Sequence, residues 1–68
     1  MKNKFAVRIR ELRSELGVSQ ATIAFKLKID TSTYSKYEQG RSEPSYDILI
    51  QIAKLYNVSV DYLLGLEN

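Results

Sequence analysis

The sequence predicts an all-α protein, a compact bundle of five short helices around one core, and three observations carry that reading. Apolar residues recur at intervals of three and four in five separate stretches. Nothing alternates with period two for long enough to make a strand. Finally, the stretches are punctuated by residues that start and stop helices. Ser19, Asp30, Ser45 and Ser59 each precede one, and Gly17, Gly40, Asn57 and Gly65 each follow one.

The first helix is marked by Phe5, Ile9, Leu12 and Leu16, whose spacings of four, three and four put them on one face. Gly17 ends it, because glycine takes the left-handed conformation of a helix stop without steric cost. Ser19 opens a short second helix by accepting a backbone N–H bond, and Ile23, Ala24 and Leu27 form its apolar face. A tight turn of Lys28, Ile29 and Asp30 leads to a third helix from about Thr31 to Gln39, marked by Tyr34 and Tyr37. Asp30 is expected to cap it. Pro44-Ser45 opens a fourth helix carrying Leu49, Ile52, Ala53 and Tyr56. Val60, Leu63 and Leu64 mark a short fifth.

At 68 residues the chain suffices for one domain, read as 1–68. Domains of this size are marginally stable and often use disulfides or metals. Cysteine and histidine are both missing, which excludes the usual zinc ligand sets and any nucleophile–histidine pair. No phosphate-binding glycine loop or carboxylate cluster is present either, so neither an enzyme nor a cofactor is expected. No apolar run approaches the roughly 18 residues that span a bilayer. Met1-Lys2-Asn3-Lys4-Phe5 is basic but has no apolar segment behind it, so a cytoplasmic protein without a signal peptide is expected. Asn57-Val58-Ser59 matches a glycosylation acceptor, which has no role in that setting.

The net charge of +2 is unevenly placed. Residues 1–41 hold nine Lys/Arg and four Asp/Glu, whereas residues 42–68 hold one lysine and four acids. Such asymmetry suits a basic face for a polyanion, or is scatter on a solvated surface. The stretch from Ser19 to Gly40 favours the former. Two short helices joined by so tight a turn cross steeply, and the second projects as a ridge that fits the major groove of B-DNA, about 12 Å wide.

The residues Leu12-Arg13-Ser14-Glu15-Leu16-Gly17-Val18-Ser19-Gln20, Ile23-Ala24 and Ser35-Lys36-Tyr37-Glu38-Gln39-Gly40 continue into Glu43-Pro44-Ser45, Leu49, Ile52-Ala53-Lys54 and Asp61-Tyr62-Leu63-Leu64-Gly65. This series resembles the Cro/cI-type (XRE) helix-turn-helix regulators, the phage-repressor-like DNA-binding domains, over nearly the whole chain. The resemblance implies double-stranded DNA as partner. It implies base contacts by Thr31, Ser32 and Lys36, with Ser35 on the same outward face and Gln20 bracing the recognition helix while touching backbone or base. It assigns phosphate contacts to Ser19, Gln39 and Arg41, and Lys28 could add another. Without it, Thr31 and Ser32 read equally as polar first-turn residues, and Lys36 as a solvated charge. Arg13 and Glu38 stand where the family makes a structural, partly buried ion pair between the first and third helices.

Three departures from the family pattern stand out. Lys28 replaces a glycine where the turn wants positive φ. Tyr34 replaces an Ile or Val, and either packs its ring inward with the hydroxyl at the rim or turns toward DNA; the core placement is expected. Asp30 replaces a serine and brings a negative charge near phosphate.

Ile48 and Leu55 lie off the core stripe of the fourth helix, and Tyr62 and Leu66 add apolar surface nearby in the chain. Together they are candidates for a dimer seam in the C-terminal helices, 45–66, or else they close the bottom of the core. The resulting expectation is a homodimeric, sequence-specific regulator, nucleoid-associated, repressing from a palindromic operator. The alternative is an antitoxin that also binds a toxin protein. A pure protein-interaction module fits the basic half less well. No ligand-sensing domain is visible after Gly65, so no small-molecule effector is expected.

Overall fold

The computed structural model describes residues 3–67. Met1, Lys2 and Asn68, which the reading of 1–68 as one domain takes in, lie outside the described residues. Among those described, the chain forms five helices and no strand: α1 (Lys4–Leu16), α2 (Gln20–Leu27), α3 (Thr31–Gln39), α4 (Tyr46–Tyr56) and α5 (Val60–Leu64).

Local chemistry sets the helix starts. The side chains of Ser19, Ser45 and Ser59 accept from the backbone N–H of Thr22, Ile48 and Tyr62 respectively, as N-caps do. Asn3, which the apolar pattern did not single out, caps α1 by accepting from Phe5 N at 2.9 Å and Ala6 N at 3.4 Å. Asp30 departs from expectation. It holds the cap position with extended backbone, but its side chain makes no cap hydrogen bond. The carboxylate is exposed, where hydration competes with a single N–H bond.

Helix stops follow one device throughout. Gly17, Lys28, Gly40, Asn57 and Gly65 all have positive φ. Behind α2 and α4 the next residues, Ile29 and Val58, bond back to Ala24 and Ala53 carbonyls at 3.0 Å each and pack against the core. Lys28 has φ 60°, so the turn does demand the conformation that glycine serves best.

The core draws on every helix: Phe5 and Ile9; Ile23, Ala24 and Leu27; Tyr34 and Tyr37; Ile52, Ala53 and Tyr56; and Leu63. Leu12 and Leu49 are partly buried against it. Leu16 is not part of it; this last residue of α1 is 57% exposed because no other helix covers that end. Leu64 is likewise exposed, leaving Leu63 as the buried residue of α5. The Tyr34 ring is fully buried and edge-on to Tyr37. Its hydroxyl is not at the rim, as expected from sequence, but 2.6 Å from the buried hydroxyl of Tyr56, in a hydrogen bond that either can donate.

At the opposite side, α1 packs on α5. Arg8 Nη1 donates to the carbonyls of Tyr62 and Glu67, and its guanidinium lies 4.2 Å from the centre of the Tyr62 ring. This contact closes the bundle, leaving α2 and α3 as its other flank.

Candidate nucleic-acid interface

Helix α3 divides cleanly into two faces. Tyr34, Tyr37 and Glu38 are buried, which at 3.6 residues per turn directs Thr31, Ser32, Lys36 and Gln39 outward; all four are exposed, and Ser35 is half-buried among them. The outward row is polar throughout. Gln39 Nε2 donates to Ser35 Oγ at 3.0 Å, and Arg41 Nη1 donates to Gln39 Oε1 at 3.4 Å. The Gln39 amide is thereby oriented from both ends, with a second amide hydrogen left for another acceptor.

The buried face is held by a charged cluster. Arg13 meets Glu38 in a two-pronged contact, Nε to Oε2 at 2.6 Å and Nη2 to Oε1 at 3.0 Å. Arg13 Nη1 also donates to the Val18 carbonyl at 2.9 Å, and Gln20 Nε2 donates to Glu38 Oε1 at 3.0 Å. One carboxylate on α3 therefore ties together α1 and the start of α2, while Arg13 itself holds the α1–α2 turn. Burial alone would raise the Glu38 pKa, but donation from Arg13 and Gln20 outweighs it and holds the carboxyl below its ordinary value. The same hydrogen bond to Glu38 raises Arg13 further, so the pair stays ionised.

Around α3, the α2 start and the turn add further groups. Ser19 Oγ lies 3.0 Å from Thr22 Oγ1, and both residues are exposed. Thr22 was not singled out from sequence, although a second hydroxyl three residues after an N-cap is a readable signal. Lys28 is exposed in the turn, and Gln20 is half-buried where it braces Glu38. Between residues 19 and 41 the exposed charges are Lys26, Lys28, Lys36 and Arg41 against Asp30 alone, since Glu38 is buried and paired. The surface is thus basic and rich in hydrogen-bond donors. It matches what the edges and phosphates of a duplex offer.

The helix-turn-helix family profile matches residues 9–63. The chain belongs to the helix-turn-helix family, in its Cro/cI-type (XRE) branch. This helix-turn-helix chain is 43% identical over 58 residues to the HTH-type transcriptional regulator ImmR of Bacillus subtilis, covering 85% of this chain and 46% of ImmR. It is 32% identical over 62 residues to the cryptic phage CTXphi transcriptional repressor RstR of Vibrio cholerae, covering 91% of this chain and 55% of RstR. A third relative, the HTH-type transcriptional activator BcrR of Enterococcus faecalis, is 30% identical over 62 residues, covering 91% of this chain and 30% of BcrR. The chain spans about half the length of ImmR and RstR. The helix-turn-helix family is one of DNA-binding domains of transcriptional regulators, not of enzymes.

The four dimer candidates lie apart from this surface. Ile48, Leu55 and Tyr62 are half-buried and packed against the core, while Leu66 is 73% exposed. Other large apolar side chains are exposed that the sequence pattern passed over: Tyr46, Ile50 and Phe25. Periodicity could not find them, because it marks the face a helix buries and does not tell which apolar residues another element will fail to cover. No described helix is long and apolar enough to cross a membrane.

Proposed function

We propose that the chain binds double-stranded DNA sequence-specifically as a dimer on a palindromic operator and represses by occupying a promoter. The observation that carries this reading is α3 itself, a helix whose inner face is locked into the core while its outer face presents an unbroken polar row. Thr31, Ser32, Ser35 and Lys36 read bases from the major groove, with Gln20 at its edge. Lysine is a donor suited to guanine O6 and N7. Ser19, Gln39, Arg41 and Lys28 fix register on phosphates. The relation to RstR, named as a repressor, supports the polarity.

The dimer is drawn from the C-terminal side. Leu66 is exposed, and the visible edges of Ile48, Leu55 and Tyr62 lie on α4 and α5, the two helices before it. An operator of this kind requires two recognition helices one helical turn, about 34 Å, apart.

The test is selection of bound duplexes from a random pool by the purified chain at moderate salt. Enrichment of a palindrome with half-sites about one turn apart supports the reading. A folded protein that enriches no sequence overturns it and turns attention to a protein partner, as an antitoxin would have.

A further inference from the structure

The anchoring of α3 has a second part that the family pattern does not supply. The backbone of α3 packs chiefly against α1 and α2. The Tyr34 side chain reaches Tyr56, in the last turn of α4, and the two hydroxyls meet at 2.6 Å in the interior. Tyr34 is fully buried and Tyr56 is 8% exposed.

A hydrogen bond differs from ring packing in what it specifies. Packed rings tolerate small rotations, whereas a hydrogen bond weakens steeply with distance and angle. Tyr34 is also one turn from Glu38, whose carboxylate is held by Arg13 and Gln20. The buried face of α3 therefore has two polar anchors one turn apart, pulling toward different helices. One anchor leaves a pivot; two fix both the rotation of the helix and its tilt. Thr31 and Ser35 flank Tyr34, so any turn of the tyrosine backbone carries them with it.

We propose that the Tyr34–Tyr56 hydroxyl pair is a positioning lock for DNA reading: it sets the rotation of α3 against α4 and hence where Thr31, Ser32, Ser35 and Lys36 stand before the bases. The lock rests on the sequence-specific binding proposed above. Burial foremost raises both tyrosines above their ordinary value of 10, so neither ionises at neutral pH and the bond persists. The pair also links α3 to α4, the helix that carries Ile48 and Leu55.

Tyr34→Phe, Tyr56→Phe and the double variant test the lock, because all three keep the rings. Each single variant strands one buried hydroxyl and should melt lower, whereas the double variant removes both and should recover most of the loss. Affinity is measured for the duplex selected from the random pool and for a scrambled duplex of the same length. Amide hydrogen exchange across Thr33–Tyr37 is measured on the free proteins. The expected double variant melts near wild type, loses about tenfold in selected-over-scrambled preference, the scale of one mismatched base pair, keeps its affinity for the scrambled duplex, and exchanges faster in α3. A double variant with wild-type preference or unchanged exchange overturns the lock, as does one that melts no higher than the singles. Should the pool yield no selected duplex, sequence-specific binding fails on its own, and the exchange measurement alone decides whether the pair holds α3.

Discussion

Glu38 concentrates more of the structure than any other single carboxylate. It is 4% exposed and accepts from two helices. Glu38→Ala leaves Arg13 without its partner, and because that arginine side chain is 19% exposed, the loss should fall near the low end for such pairs, about 3 kcal/mol. DNA affinity should fall with it; a variant that keeps its melting temperature but loses binding would contradict the structural role. The pH dependence has a definite sign. The folded-state pKa lies below the unfolded value of about 4.5, so the stabilisation is fully present above that pH and is lost as pH falls through the lower folded value. The melting-temperature gap between wild type and Glu38→Gln should hold from neutral pH down to the carboxylate range and close only below it. Lys28 makes the opposite case, a residue at odds with its backbone. At φ 60° a lysine costs about 1 kcal/mol, so Lys28→Gly should raise the melting temperature by roughly 4–8 °C. If Lys28 grips phosphate, the same variant should bind DNA less tightly and lower the salt slope by about 1. An unchanged or lower melting point would count against the strain.

Helix α3 shows what its sequence discloses and what it withholds. Its bounds were legible because caps and stops are local chemistry: Gly40 must take positive φ, and the tight turn before Thr31 leaves no other start. The inward placement of Tyr34 was also legible, since the ring lies on the same stripe as Tyr37. The partner of its hydroxyl was not, because Tyr56 is 22 residues away and no local pattern couples them. Asp30 misled for a related reason. Its residue type favours capping, but side-chain geometry decides whether the bond forms, and Tyr34 and Glu38 hold the helix without it. On the outer face, two substitutions should separate reading from gripping. Lys36→Ala should cost about 1–3 kcal/mol on the preferred sequence and relax choice at one position. Arg41→Ala should weaken all sequences alike and reduce the salt slope by about 1. Fluorescence anisotropy over a salt series with matched and mismatched duplexes tells the two patterns apart.

At the scale of the whole molecule, the exposed polar row belongs to α3, while the exposed apolar residues Tyr46, Ile50, Leu64 and Leu66 belong to the C-terminal side. The sequence disclosed the polar face of α3 and left exposure at the C-terminal side only coarsely legible, since that exposure depends on which helix ends are left uncovered. Leu66→Glu probes that side with little effect on folding, because the residue is 73% exposed; stability should stay within about 0.5 kcal/mol. Sedimentation should show weakened dimers, and dimers of wild-type strength would place the seam elsewhere. The Arg8 clamp has a further consequence. Its partner carbonyls are 54 and 59 residues away, whereas α2 and α3, the most closely packed pair of helices, are neighbours in sequence. Short-range helix contacts form quickly, and closure of a long loop waits for them. The docking of α5 onto α1 is therefore the natural last step of folding and the first place the native state breathes. In amide exchange, α5 should open at a lower free energy than α2 and α3, so this protein can loosen α5 while α3 stays set.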